Sequence, residues 1–193
     1  ESFYIMELSV NRLSDQSDTI PVMISERLID INQDYRGRTM EAIGQFRSYN
    51  RHEEKHNRLV LSVFAREVRF VEEDEENTPV NQIFMDGFIC KPPVYRKTPL
   101  GREIADILLA VNRPYGKSDY IPCICWGRNA RYIANLEVGA NIHIWGRMQS
   151  RIYQKRIGEE VEERVAYEVS VAKIELPHKA EHEAEEKGAD EMV

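Results

Sequence analysis

The chain has few of the residues that secreted or membrane-spanning proteins rely on. Its 193 residues include three cysteines, Cys90, Cys123 and Cys125, too few and too odd a number for a disulfide framework. No apolar run approaches the roughly 20 residues that a membrane-spanning helix needs. Both features favour a protein of a reducing cytoplasm.

Catalytic and metal-binding patterns are also scarce. Cys123, Cys125 and His143 lack a fourth ligand and the usual zinc spacing, so the alternation of strand residues makes both cysteines core residues. The stretch HEEKH at 52–56 has the histidine spacing of a zinc protease, but we expect it in a polar hairpin loop and not on a helix. No catalytic constellation or phosphate-binding glycine loop is recognisable. The sequence therefore predicts no enzyme, no cofactor and no metal site.

Negative charge dominates overall but is unevenly distributed. The net charge is −7, of which −5 lies in the stretch EEDEE at 72–76 and −4 in the tail 177–193, whereas residues 77–176 carry +3. A charged stretch with proline and no periodicity is typical of a linker. We predict a first, degenerate domain at 1–72, an acidic linker at 73–80, a second domain at 81–176, and a flexible or helical acidic tail at 177–193.

Short alternating segments run through both halves of the chain. Apolar residues alternate in 83–89, 121–125, 142–144 and 167–171, as expected of half-buried strands. Helix signals are confined to ISERLIDI at 24–31, GRNARYIANL at 127–136 and the tail. The chain is therefore predicted to be mainly β.

An internal repeat relates the two halves. SVNRLSDQSDTIP at 9–21 matches AVNRPYGKSDYIP at 110–122 with an offset of 101 residues. Residues 37–48 match 139–150 at an offset of 102, and residues 61–68 match 167–174 at 106. Ordered blocks with slowly drifting offsets indicate two copies of one fold. The segment 82–101 has no counterpart, and we expect one in about twenty residues preceding Glu1.

The second half resembles the bacterial single-stranded DNA-binding protein family. The resemblance rests on Gly87 within a strand, a PxxRxTxxG pattern at 93–101, LLAVNR, DYIPCICWGRNA and VGANIHIWGRMQSRIY. It implies tandem oligonucleotide-binding (OB) folds, each a five-stranded Greek-key barrel with one open face for nucleic acid, the first possibly without its N-terminal strand. It also implies sequence-tolerant binding of single-stranded DNA in replication, recombination or repair, by a nucleoid-associated bacterial protein.

Alternation in two strands predicts which side chains face the DNA. In the strand at 121–125, Tyr120 and Trp126 face away from the inward cysteines; after Gly139, Trp145 lies on an outward stripe of aromatic and basic residues. Base stacking and phosphate contacts are how such barrels hold single strands. By resemblance, the stacking residues are Tyr115, Tyr120, Trp126 and Tyr153, and the stripe adds Trp145. The predicted phosphate contacts are Arg96, Lys97, Arg113, Lys117, Arg128, Arg147 and Arg151.

The first half keeps the inward residues of the repeat and changes the aromatic ones. Ser14, Thr19 and Ser25 stand where the second half has Tyr115, Tyr120 and Trp126. Only Arg47, Tyr49 and Arg51 preserve part of the later stripe. We interpret the first half as a scaffold with weakened or specialised contacts.

Assembly and partners follow from the resemblance. Family members commonly work with four barrels, so two per chain imply a homodimer. The tail ends in ADEMV and lacks the family's Asp-rich run closing in Pro-Phe, which leaves partner recruitment and simple solubilisation both open. Two other functions also remain open: a primosomal-type adaptor that docks partner proteins, and an RNA-binding barrel.

Overall fold

The computed structural model describes residues 1–54 and 56–177. Within them the chain forms ten strands and one α-helix, α1, at Gly127–Ala134. The strands are β1 Phe3–Asn11, β2 Ser17–Ser25, β3 Met40–Glu53, β4 His56–Phe70, β5 Ile83–Ile89, β6 Val94–Lys97, β7 Glu103–Asn112, β8 Ser118–Trp126, β9 Asn141–Ile157 and β10 Glu160–Glu175. The described helices are too short and polar to cross a bilayer.

Two compact units share the long strands β9 and β10. The first comprises residues 1–81 and 148–168; the second comprises 82–147 and the described residues from 169 onwards. The predicted domains were continuous in sequence, but residues 148–168 of β9 and β10 group with the first unit. The acidic stretch 73–80 lies between β4 and β5 and forms neither strand nor helix.

The second unit contains a closed barrel. Its sheet has the order β5-β9-β10-β8-β7-β6, and β5 also pairs with β7 through Phe88–Ala110 and Ile89–Leu109. That extra pairing closes five strands on themselves, with β8 and β10 parallel, which is the OB arrangement. The core consists of alternate strand residues together with Ala130 and Ile133 of α1. The predicted all-β OB fold is confirmed.

The first unit repeats the strand order of the second without the counterpart of β5. Its sheet runs β1-β2-β4-β3, matching β7-β8-β10-β9. Val22 pairs with Val63 where Cys123 pairs with Val169, which reproduces the offsets of 101 and 106 residues. Among the described residues, no fifth strand joins the edge strands β1 and β3, so this sheet is open.

Gly44 and Gly146 are equivalent positions of the repeat, and a close approach of the neighbouring strand explains why both are glycine. A Cβ on Gly146 would lie 2.2 Å from the Ser170 carbonyl oxygen, and one on Gly44 would lie 2.0 Å from that of Phe64. A β-bulge at Ile43/Gly44 accompanies the close approach in the first unit. Only glycine allows the neighbouring strand to come so near.

Of the two helix predictions that fall on described residues, one is correct. Residues 127–134 are helical as expected, but the segment 24–31 is wrong as a helix: it finishes β2 and continues into turns. Ser25 accounts for this, because its hydroxyl accepts a hydrogen bond from the Arg27 N–H and its carbonyl accepts one from the Leu28 N–H. Serine that bonds nearby backbone competes with helix formation.

Candidate nucleic-acid interface

The outward face of β8 presents two aromatic rings. Ile121, Cys123 and Cys125 are buried, whereas Tyr120 is 48% exposed and Trp126 is 36% exposed. The predicted alternation is therefore confirmed in this strand. Ile124, which lies between the two rings on the outward face, departs from the simple alternation because it is also buried.

A third aromatic ring projects from the β7–β8 turn. Tyr115 is fully exposed, and its φ of 71° and ψ of 27° place it in the left-handed region. Gly116 follows with a φ of 77°. A non-glycine residue pays about 1–2 kcal/mol for this conformation. The strain is concentrated at a residue whose ring contributes nothing to the core, which makes Tyr115 a functional candidate.

Trp126 borders a cavity of about 390 Å³ at the start of α1. The guanidinium carbon of Arg102 lies 5.3 Å from the centre of the indole ring, within cation–π range. Opposite, Arg131 Nε lies 2.8 Å from Glu103 Oε2. Arg102 was not among the predicted contacts; the signal for it was its position immediately before β7, two residues ahead of Ile104, which pairs with Trp126.

Trp145 has different neighbours from Trp126. It is half-buried on the outward face of β9, where its ring centre lies 5.0 Å from that of Phe84 and 4.8 Å from Lys173 Nζ. Phe84 is directly opposite in register on β5 and is 54% exposed. Sequence reasoning missed Phe84, although the alternation of β5 placed it outward.

Tyr153 and Arg151 belong to the part of β9 that groups with the first unit. Tyr153 is 37% exposed. Hydrogen bonds to Glu162 and, to a lesser degree, the Tyr153 hydroxyl raise the pKa of Arg164. Arg151 Nε lies 3.6 Å from Glu168 Oε1, which also accepts a hydrogen bond from Gln149. Carboxylates therefore lie near both predicted site residues: Glu168 beside Arg151, and Glu162 bonded to Arg164, which also contacts Tyr153.

The predicted phosphate contacts differ in how closely a carboxylate of the protein already pairs with them and in how exposed they are. Arg113 Nε lies 2.9 Å from Asp119 Oδ2, and that carboxylate is almost fully buried. Arg96 makes a looser, exposed pair with Asp106 at 3.3 Å. Among the other predicted contacts in the second unit, Arg96, Lys97, Lys117 and Arg128 are exposed, and Arg147 is half-buried on β9.

The residues considered as metal ligands occupy ordinary positions in the fold, in the core or at a hairpin. Burial raises the pKa of Cys125 to about 12, so its thiol stays protonated at neutral pH. His52 lies in β3 and His56 begins β4, and Glu53 pairs with His56 across the hairpin, so the two histidines are on paired strands and not on one helix. The described residues contain no cluster of three or more His, Cys, Asp and Glu suited to a metal. The predicted tail from 178 onwards lies outside the described residues.

Known proteins match the second unit by sequence and the chain by fold. The model of the single-strand binding protein family matches residues 80–177. Single-stranded DNA-binding protein A of Bacillus subtilis (strain 168) is 35% identical over 89 residues, which cover 42% of this chain and 52% of that protein. The single-stranded DNA-binding protein of Halalkalibacterium halodurans is 34% identical over 89 residues, 42% of this chain and 53% of that protein. The chain thus spans about half the length of these curated relatives.

Two crystal structures share the fold at low sequence identity. Wild-type single-stranded DNA binding protein from Thermus aquaticus aligns with a TM-score of 0.60 and 19% identity, covering 91% of this chain and 79% of that chain. The deletion mutant of that protein aligns with a TM-score of 0.64 and 17% identity, covering 91% and 80%.

Proposed function

The chain belongs to the single-strand binding protein family, and we propose that it binds single-stranded DNA with little sequence preference, chiefly through the second unit. The supporting observation is the pair Tyr120 and Trp126, exposed on the outward face of a strand whose other face is sealed in the core. Tyr115 extends the row at the turn before β8, and Tyr153 and Trp145 are proposed as further stacking residues. Every base has a flat face, so stacking on rings is tolerant of sequence.

Cations around these rings are proposed to follow the phosphates. Arg96, Lys97, Lys117, Arg128, Arg147 and Arg151 take this role. We assign Arg113 differently, because its guanidinium already faces a buried carboxylate. The second domain carries a charge of only about +3, whereas each stacked base contributes roughly 1–3 kcal/mol, so stacking should dominate the affinity.

A binding titration with matched variants tests the proposal. The probe is a fluorescently end-labelled thymidine oligomer, followed by anisotropy at low and moderate salt. Trp126→Ala should weaken binding strongly, whereas Trp126→Phe should retain most of it. Tyr132→Ala is the control, since Tyr132 is similarly exposed on α1 outside the proposed row. Equal losses for Trp126→Ala and Tyr132→Ala would contradict the assignment.

Two other functions give different outcomes in the same titration. No binding to DNA at low salt would favour a protein-docking adaptor. Tighter binding to a matched ribo-oligomer would favour an RNA-binding barrel, because only the 2′-hydroxyl distinguishes the two probes. We propose a binding protein and not an enzyme, acting in replication, recombination or repair in the bacterial cytoplasm at the nucleoid.

We also propose that the protein is a homodimer, which would bring four OB units together. The argument is the family's common use of four barrels and the presence of two related units in this chain. Sedimentation equilibrium measures the mass directly: twice the 22.5 kDa of the chain is expected. A monomer at micromolar concentration would contradict the proposal.

A further inference from the structure

The outward face of the first unit carries aromatic rings at positions where the second unit has none. Phe3 on β1 is directly opposite Ser25 on β2, and Ser25 is the repeat counterpart of Trp126. Phe64 on β4 pairs with Met23 and corresponds to Ser170. Ser25, which stands where the second half has Trp126, therefore lies beside an aromatic residue on β1, and the neighbouring outward residue Met23 lies beside one on β4.

Phe3, Phe64 and Arg47 form one cluster, here called the β1–β4 aromatic cluster. The ring centres of Phe3 and Phe64 lie 5.4 Å apart at 39°. The guanidinium carbon of Arg47 lies 4.0 Å from the Phe64 ring centre. Gln45 Oε1 accepts hydrogen bonds from Arg47 Nε at 3.2 Å and from a terminal guanidinium nitrogen at 2.7 Å, which fixes the plane of the guanidinium.

The cluster faces solvent and not the core of its unit. Phe3 is 45% exposed and Ile5, next on the same face, is 56% exposed. The alternate residues of β2, Ile20, Val22 and Ile24, form the buried side of the sheet. A core role therefore does not account for Phe3.

The neighbouring strand β3 supplies polar and basic groups along the same face. Along β3, Arg47, Tyr49 and Arg51 alternate outward, and Tyr49 and Arg51 correspond to Arg151 and Tyr153 of the second half. Both halves thus carry an arginine and a tyrosine at the same two positions, with the order exchanged. A ring platform beside arginines suits stacked bases and their phosphates.

We propose that the β1–β4 aromatic cluster is a second contact surface for single-stranded DNA, with a base stacked on Phe3 and a phosphate at Arg47. This inference rests on the proposed function and revises the view of the first half as a scaffold. The contact uses β1 and β4 in place of the β2 positions that the repeat left as Thr19 and Ser25. Bases are favoured over an apolar protein segment because a fixed guanidinium and the Gln45 amide border the Phe64 ring.

Oligomers of two lengths distinguish DNA binding at this surface from DNA binding at the second unit. An OB unit occupies about 4–16 nucleotides, so an oligomer of about 30 thymidines can engage two units and one of about 10 only one. Phe3→Ala should weaken binding of the long oligomer about 5-fold or more and leave the short one unchanged. Phe3→Tyr should bind as the native protein does. Ile31→Ala is the control, an exposed apolar residue of the same unit outside the cluster.

Photo-cross-linking gives a readout that does not depend on a variant. A long oligomer containing 5-iododeoxyuridine is irradiated on the native protein, and mass spectrometry locates the modified peptides. Cross-links at Phe3 or Phe64 support the inference. Unchanged long-oligomer binding by Phe3→Ala, or cross-links confined to residues 82–177, would overturn it while leaving the proposed function intact. Native protein that binds neither oligomer at low salt would overturn both.

Discussion

Arg113 lies against the buried carboxylate of Asp119, and the first unit repeats this ion pair between Arg12 and Asp18. Arg12 Nε and a terminal guanidinium nitrogen lie 2.8 and 2.6 Å from the two Asp18 oxygens, and both aspartates are 2% exposed. In each unit the pair closes the hairpin between two antiparallel strands. The first unit has the pair although it lacks the aromatic residues of the second, so we expect the pair to stabilise the hairpin and not to contact DNA directly.

Arg113 is therefore expected to position the Tyr115 turn without touching phosphate. Arg113→Ala and Asp119→Asn should weaken oligomer binding to a similar degree and leave its salt dependence unchanged. Removing a phosphate contact would instead reduce the slope of log K against log salt by about 0.7. Binding isotherms at several salt concentrations make the distinction.

Thermal unfolding provides the control for this pair. Removing Arg113 takes one ion-pair partner away from a buried carboxylate, which should cost roughly 2–3 kcal/mol. Arg12→Ala should cost a similar amount in the first unit while affecting short-oligomer binding less. If Arg113→Ala reduced the slope of log K against log salt and Asp119→Asn did not, Arg113 would have to be counted among the phosphate contacts.

Gly146→Ala should destabilise the second unit, because the added Cβ would lie 2.2 Å from the Ser170 carbonyl oxygen. Overpacking of this kind costs about 1–3 kcal/mol, and backbone atoms cannot rotate away. Urea denaturation measures the loss. Gly101→Ala is the comparison: it meets no atom within 4 Å and suffers only its φ of +82°. A smaller loss for Gly146→Ala than for Gly101→Ala would contradict the close approach.

Cys125 should make stability fall with rising pH above about 9. Burial raises its pKa to about 12, against 9.0 for an unperturbed thiol. Between these values the unfolded chain releases the thiol proton while the folded chain keeps it, so alkaline pH favours unfolding by up to about 1.4 kcal/mol per pH unit. Cys125→Ala should flatten this part of the stability profile. Rapid alkylation of native Cys125 at pH 8 would argue against its burial.

Tyr120→Ala should weaken binding of a thymidine oligomer by about 1–3 kcal/mol, the value of one stacked base. Tyr120→Trp should bind at least as tightly as the native protein, because the larger ring offers more stacking area. Anisotropy titrations at one salt concentration compare the three proteins. Tyr95→Ala is a control, since Tyr95 is 40% exposed on β6. Equal affinity of Tyr120→Ala and the native protein would remove Tyr120 from the interface.

Strand alternation and the two equivalent sets of strands could be predicted from the sequence because they follow from local geometry and from residue order. Side chains alternate every second residue in any strand, so the inward cysteines and outward Tyr120 and Trp126 could be assigned without coordinates. The repeat offsets of 101 and 106 predicted equivalent strands, and the parallel pairs Val22–Val63 and Cys123–Val169 match them.

Contacts between distant segments could not be read in the same way. Arg113 looked like an exposed cation of a basic loop, since its sequence neighbours do not reveal that Asp119 turns inward across the hairpin. Trp145 and Trp126 looked alike as outward tryptophans, yet one packs with Phe84 and Lys173 and the other with Arg102. Segment 24–31 has a helical pattern, but local bonds to Ser25 form turns there.

The sequence by itself determined the all-β class, the two related halves and the family, because each depends on local periodicity or on residues in a fixed order. Tertiary structure decided which arginines are engaged by carboxylates, which rings share a surface, and that Phe3 and Phe64 meet on the first unit. Those properties depend on strand pairing across tens of residues, where a side chain's partner is set by register and not by its neighbours in the chain.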